Sequence, residues 1–377
     1  MDRRAFLRST GTVSVAGVAS VGMAERKRAA ASPTPSGSGL DFQVPREYPG
    51  QPGLKTMLFW DYWKFHVLDN VELVANKPVW RPEGTHIDPY TGTPGTGRVY
   101  FDKAAGLWRR LWGPSQYFIS ESEDGIVWRP APLADVAPNG EKLAPHHVWT
   151  MPGEGAADGW LHLDPLAEDG YPYKMAVIEK GQRVYDRAKA DPAHRWHALT
   201  QQFDAPREHM FEHFVHVSRD GLKWELRRDY DWCQGRFFPE EPLFLFYNHL
   251  SGRHALTVRP GLGDRRVCLA TTADYRTWTE PRLILQPELS DGDIVEFYAM
   301  PTFPYGQYFI GFVWASDFAT SDGPDFAVLH KGPQYPQLAM STDGEYFVRP
   351  TREAFIDFNP PGEIGCHSIR PEGMAVL

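Results

Sequence analysis

The chain has 377 residues and a formal net charge of −9, from 39 Lys and Arg against 48 Asp and Glu. That balance, with no basic stripe, argues against nucleic acid and anionic membrane surfaces as partners. Beyond the N-terminal segment, no apolar run approaches the roughly 18 residues that a membrane span needs. A content of 13 Trp, 16 Tyr, 22 Phe, 34 Gly and 33 Pro suits many short strands joined by turns.

The N-terminus reads as an export signal. Asp2-Arg3-Arg4-Ala5-Phe6-Leu7-Arg8 precedes a weakly apolar stretch from Gly11 to Ala24, the plan of a bacterial twin-arginine signal over residues 1–24. Residues 25–53, rich in Ala, Ser, Pro and Gly, form a flexible linker. The expected destination is the periplasm or the extracellular space. Residues 54–377 then carry one large all-β domain.

Two patterns recur along that domain. The first is a hairpin: Arg98–Asp102 returning at Gly106-Leu107-Trp108, Trp160–Asp164 at Tyr173-Lys174-Met175, Leu243–Tyr247 at Gly252–Leu256, and Thr302–Tyr305 at Gly306–Ile310. The second is a signature downstream: Ser122-x-Asp124-Gly125-x-x-Trp128, Ser218-x-Asp220-Gly221-x-x-Trp224, Thr272-x-Asp274-Tyr275-x-x-Trp278 and Ser341-x-Asp343-Gly344-x-x-Phe347. Asp-Gly makes a tight turn, and the aromatic anchors the returning strand. Four such units, each of about four strands, predict a β-propeller with the signature on the outside of the blades. Asp124, Asp220, Asp274 and Asp343 are accordingly structural, and Trp128, Trp224 and Trp278 pack between blades.

A propeller gathers its innermost strands around one axis, so acids at the starts of those strands converge. In chain order these are Asp88 before Pro89, Asp164 before Pro165, Glu240 and Glu241 before Pro242, and Asp293 and Glu296; Asp61 lies upstream between Trp60 and Tyr62. Two carboxylates facing one sugar suffice for glycoside hydrolysis. Asp-Pro also favours turns, which competes with the catalytic reading of Asp88 and Asp164. Trp60, Trp149 and Tyr298 are candidate plates for a sugar ring. Cys233, Cys268 and Cys366 show no metal-ligand spacing and read as three buried free thiols. No cofactor is called for; a structural calcium is the one ion that converging carboxylates would accommodate.

The chain resembles the five-bladed propeller glycoside hydrolases of families 32, 43, 62, 68 and 130, above all uncharacterised bacterial proteins grouped with the family 32 N-terminal domain. The resemblance rests on Leu58-Phe59-Trp60-Asp61-Tyr62, on His162-Leu163-Asp164-Pro165, and on Arg266–Pro281 with its Thr272-x-Asp274-x-x-x-Trp278-Thr279-x-Pro281 core. It implies a five-bladed propeller that acts on an oligosaccharide or polysaccharide. It further implies Asp88 as nucleophile or base, Asp164 as the group that orients the sugar, and Glu241 as proton donor. Asp61, Glu240, Asp293, Glu296, Trp60, Trp149 and Tyr298 would contact the substrate. The crisp family 32 motifs are only echoed by Ile87-Asp88-Pro89-Tyr90, Leu163-Asp164-Pro165 and Glu241-Pro242. A family 130-like phosphorylase and a non-catalytic carbohydrate-binding propeller therefore stay open. The fifth blade, begun at Gly362–Pro371, is expected to be incomplete.

Overall fold

A computed structural model describes residues 77–78, 87–92, 95, 97–103, 105–113, 116–151, 157–206, 210–230, 240–259, 265–292, 295–306, 308–317, 332–363 and 365–372. The proposed signal and linker, Trp60, Asp61, Cys233 and Asp293 lie outside the described residues, as do the side chains of Glu240 and Glu241.

Four antiparallel sheets follow one another along the chain. Blade one holds β1 (Gly97–Asp102), β2 (Leu107–Trp112) and β3 (Gln116–Ser122), with β4 (Arg129–Pro130) and β5 (His147–Thr150) both paired to β3. Blade two runs β6 (Ala157–Leu163), β7 (Tyr173–Lys180), β8 (Phe211–Ser218), β9 (Trp224–Arg227), and blade three runs β10 (Glu240–Asn248), β11 (Arg253–Arg259), β12 (Val267–Thr272), β13 (Arg282–Leu285). In blade four, β14 (Val295–Phe297) and β15 (Thr302–Tyr305) both lie along one side of β16 (Tyr308–Asp317), and β17 (Gln334–Ser341) lies on the other. They form one inner strand interrupted near Pro301, which has no N–H to give to a ladder.

The repeated signature is the outer turn of every blade. Ser122 Oγ accepts from Gly125 N at 2.9 Å, and Asp124 Oδ1 accepts from Ile126 N and Val127 N at 2.8 Å each. The same bonds recur at Ser218 and Asp220, Thr272 and Asp274, and Ser341 and Asp343. The third turn residue takes positive φ, at 74° for Gly125, 75° for Gly221 and 73° for Gly344. Tyr275 holds the same position at φ 60°, a cost that a side chain accepts only when its ring is held by the surroundings.

Three apolar cores join consecutive blades. Tyr100, Ile119, Trp149 and Met175 join one to two. Val215, Leu243, Leu256 and Trp278 join two to three, and Phe246, Leu269, Phe297 and Phe309 join three to four. Blade four meets blade one where Arg98 of β1 lies over the Phe303 ring of β15, at 4.6 Å. No fifth sheet is formed by the described residues. The C-terminal stretch, dense in Pro and Gly, instead lies against β17, with Gln334 bridged in parallel to Ser368. Cys268 is a buried free thiol but Cys366 is exposed, because that stretch crosses the surface.

Between β7 and β8 the chain inserts α1 (Gln182–Ala190) and α2 (His197–Thr200). Val184, Tyr185 and Ala188 form the buried face of α1 and pack with Trp196 and Met210. Arg187 ties α1 to Glu179 and Glu212, the register partners at the adjacent ends of β7 and β8. No helix among the described residues is long and apolar enough to cross a membrane.

On β8, burial pushes His213 down to about 3 and His216 down to about 4. Both stay neutral in the fold while the unfolded chain takes up protons below about pH 6.5. The unfolded state thus binds more protons, and stability falls as pH drops. Between pH 6.5 and 5 the expected loss is about 1.4 kcal/mol per pH unit for each histidine at most. Denaturant midpoints measured across that window should fall, and His216→Gln should flatten the slope.

Candidate active site

Strand direction divides the inner face into two rims. Each inner strand β1, β6 and β10 ends in a hairpin opened by an Asx residue whose Oδ1 accepts backbone N–H groups. Asp102 accepts from Ala105 N at 3.1 Å, Asp164 from Leu166 N at 2.9 Å and Ala167 N at 3.1 Å, and Asn248 from Leu250 N at 3.0 Å. Asp164 is thus the blade-two member of a structural series. It stands at the end of β6, away from the strand starts where Glu240 and Glu296 lie.

The other oxygen of Asp164 belongs to a buried lock between blades two and three. Lys174 Nζ, with no exposed side-chain surface, lies 2.8 Å from Asp164 Oδ2, and the Tyr275 hydroxyl donates to the same oxygen at 2.9 Å. His162 and His254 complete the group: His162 Nε2 stands 3.2 Å from His254 Nδ1 and 3.1 Å from the Tyr275 hydroxyl. Burial alone would raise the Asp164 carboxyl, but the neighbouring imidazoles and the Lys174 ammonium outweigh it and hold the group well below the usual carboxylate range. This is what holds Tyr275 in its left-handed turn. The carboxylate expected to orient a substrate is thus held by a turn on one oxygen and by this buried group on the other.

Asp88 is likewise enclosed. Its Oδ1 accepts from Tyr90 N at 3.0 Å and Thr91 N at 2.7 Å, and its Oδ2 lies 2.8 Å from His146 Nε2, both side chains having no exposed surface. Tyr90, Trp112 and Phe118 pack around that imidazole. Asp88 therefore anchors an Asx turn and lies against His146. Trp149 is also reassigned: it is 3% exposed and packs on Tyr117, His216 and Trp224 in the core between blades one and two.

The strand-start rim keeps Glu296 and Tyr298. Glu296 leaves 37% of its side chain exposed and pairs with Arg265 Nη1 at 2.5 Å. Two residues on, Tyr298 lies nearly parallel to Trp314, at 12° and a centroid distance of 6.4 Å. Three guanidiniums lie near the Tyr298 ring: Arg259 at 4.6 Å, Arg370 at 5.3 Å and Arg265 at 5.7 Å. Arg259 closes β11 as the register partner of Glu240, so the start of β10 lies beside this group. Arg370 comes from the C-terminal stretch, whose Pro371 carbonyl accepts from Trp314 Nε1 at 3.1 Å. Phe244 and Trp160 connect the aromatic pair to a cavity of about 60 Å³ bordered also by Arg98, Trp112 and Glu372. That volume accommodates water rather than a sugar ring.

The placements therefore bring Glu296, Tyr298 and the backbone of Glu240 and Glu241 to one rim, set Asp164 at the strand ends and Trp149 in the core between blades one and two, and pair Asp88 with His146, which packs on the cavity residue Trp112. Arg259, Arg265, Arg370 and Trp314 were not singled out from sequence. The hairpin pairing of β10 with β11 could have suggested Arg259; Arg370 is brought in by a tail that carries no strand pattern.

No family model matches the chain, and no curated protein matches it. Solved structures do. The chain is similar to an endo-arabinase from Bacteroides thetaiotaomicron VPI-5482 at 10% identity, over 73% of this chain and 86% of that one, with a TM-score of 0.43. It is similar to a GH130-family structure, described as one of the glycoside hydrolases that target β-1,2 mannosidic linkages in Candida mannan, at 14% identity over 80% and 84%, TM-score 0.41. An exo-1,5-α-L-arabinanase from a bovine ruminal metagenomic library matches at 13% identity over 74% and 79%, TM-score 0.39. The propeller-like architecture itself is read from the order and register of the four sheets.

Proposed function

We propose that the protein is an exported glycoside hydrolase whose site lies on the strand-start rim around Glu296. One observation carries this reading: a partly exposed carboxylate at an inner-strand start pairs with Arg265, which lies by the ring of Tyr298 stacked with Trp314. Sugars present a C–H face that stacks on such rings, while their hydroxyls need charged partners nearby. Glycoside hydrolysis needs a protonated carboxyl that gives its proton to the leaving oxygen as the C–O bond breaks, and an ionised one across the sugar that attacks or activates water. The ion pair with Arg265 suits Glu296 to the ionised role. Glu241, two residues into β10, is proposed as the proton donor, with Glu240 beside it. The test is a turnover screen of the mature chain against arabinan, fructan, mannoside and uronate-containing glycans; hydrolysis of none would count against the hydrolase.

One observation favours a second reading. Two of the three acids expected to act, Asp88 and Asp164, are committed to turns and buried pairs. A non-catalytic propeller would bind a glycan at the same rim without cleaving it, and binding without turnover would select this alternative.

Export is part of the proposal. Replacing Arg3 and Arg4 by Lys is expected to leave the protein in the cytoplasmic fraction of a bacterial host with a working twin-arginine pathway, while the parent chain leaves it. Fractionation followed by immunodetection reads the difference directly.

A further inference from the structure

The aromatic pair that would carry a sugar is covered. Trp314, on β16, is only 2% exposed, and its neighbours are of two kinds. Phe244, at 5.3 Å, stands on β10, and Tyr298 follows β14 with its N–H bonded to the Trp314 carbonyl at 2.8 Å. The second kind is the C-terminal stretch. The Pro371 carbonyl accepts from Trp314 Nε1 at 3.1 Å, and the Arg370 guanidinium reaches both rings, 5.8 Å from the centre of Trp314 and 5.3 Å from that of Tyr298. Glu372, next along, borders the cavity shared by Arg98 of β1, Trp160 of β6 and Phe244 of β10. Residues 367–372 thus run from β17 across the rings to the mouth of three inner strands.

This part of the cover is irregular backbone with one isolated bridge, at Ser368. Gln334, at the start of β17, is its anchor. The Gln334 N–H donates to the His367 carbonyl at 3.1 Å, its carbonyl accepts from Ile369 N at 2.9 Å, and its Oε1 accepts from Arg370 Nε. Segments of this kind open locally at lower cost than strands paired within a sheet, so the tail gives way before β10 or β16 does. We propose that residues 367–372 form an autoinhibitory strap over the aromatic pair, which a glycan displaces in order to stack there. The proposal rests on the rim being a carbohydrate site and concerns how that site is regulated. The strap already fills the roles a sugar would take, with a cation on the rings and an acceptor on the indole N–H. Strap and sugar therefore compete, and apparent affinity is the intrinsic affinity scaled by the fraction of molecules whose strap is displaced.

Calorimetric titration of the full chain with arabino-, fructo-, manno- and galacturono-oligosaccharides tests this, alongside two variants that loosen the strap at exposed or half-buried positions. Arg370→Ala takes the guanidinium off both rings, and Ile369→Pro removes the N–H given to Gln334. Each variant, folded by circular dichroism, is expected to bind the oligosaccharide that the parent binds with a Kd about fivefold or more lower, the worth of one cation–π contact or hydrogen bond. In the parent, saturating oligosaccharide should speed hydrogen exchange at the Ile369 and Gln334 amides. Equal Kd in the parent and both folded variants would overturn the strap and leave the carbohydrate site standing. Weaker binding by the variants, with slower exchange at those amides in the presence of sugar, would overturn it too, and make the stretch a wall of the site. Binding of no oligosaccharide by parent or variants would remove the carbohydrate reading and the strap with it.

Discussion

Lys174→Met is expected to destabilise the protein by about 3–5 kcal/mol, the cost of breaking a buried ion pair from one side. The Lys174 side chain is wholly buried and touches Asp164, Asp169 and the Tyr171 carbonyl, while its ammonium lies 4.8 Å from the centre of the Tyr275 ring. Methionine keeps most of the stem volume but leaves the Asp164 carboxylate, 3% exposed, without its cation. Tyr275 would then hold a left-handed turn with a weakened anchor. Thermal melting should fall by on the order of 5 to 10 °C. The double variant Lys174→Met/Asp164→Leu should recover part of the loss, because a buried pair replaced by apolar groups is often close to neutral. A single variant that melts within about 2 °C of the parent would show that the lock contributes little.

Glu296→Gln carries the largest expected effect on activity. Glutamine preserves shape and can still accept a hydrogen bond from Arg265, so folding should be untouched at a side chain this exposed. What it removes is the negative charge that would face the developing cation of the sugar or activate water. Loss of such a group typically lowers kcat by about 10²–10⁴-fold. Tyr298→Ala, by contrast, should act mainly on KM, because stacking serves the bound sugar as well as the transition state. Equal kcat in parent and Glu296→Gln, on any glycan the parent hydrolyses, would remove Glu296 from the chemistry.

The scaffold was legible because its determinants are local. Ser122-x-Asp124-Gly125 and its three copies specify their own hydrogen bonds within four residues, so the turns, the blades they end and the aromatics they anchor could be read directly. The turn role of Asp164 was legible for a related reason. Asp102 with Gly106, Asp164 with Gly170, and Asn248 with Gly252 form a second repeat of hairpin turns, as visible in the sequence as the first, and it would have sorted Asp164 with the scaffold. Asp88 shows the limit from the other side, since its partner His146 lies 58 residues away and no local pattern joins them. The helical insertion was passed over because α1 spans only nine residues, too few for its apolar face to stand out. Arg370 reaches Tyr298 through the course of an irregular tail, which sequence spacing does not encode. The interruption at Pro301 was equally hidden, since only the register of β14 and β15 along β16 shows that they continue one another.

The central claim is that chemistry belongs to the strand-start rim and that Asp164 belongs to the scaffold. The direct measurement is kcat for the parent, Glu296→Gln and Asp164→Asn on one hydrolysed glycan, at a temperature where circular dichroism shows all three folded. Asp164→Asn should melt lower and keep its kcat, while Glu296→Gln should melt with the parent and lose turnover by at least about 100-fold. The reverse pattern, with turnover lost in folded Asp164→Asn and kept in Glu296→Gln, would contradict the account.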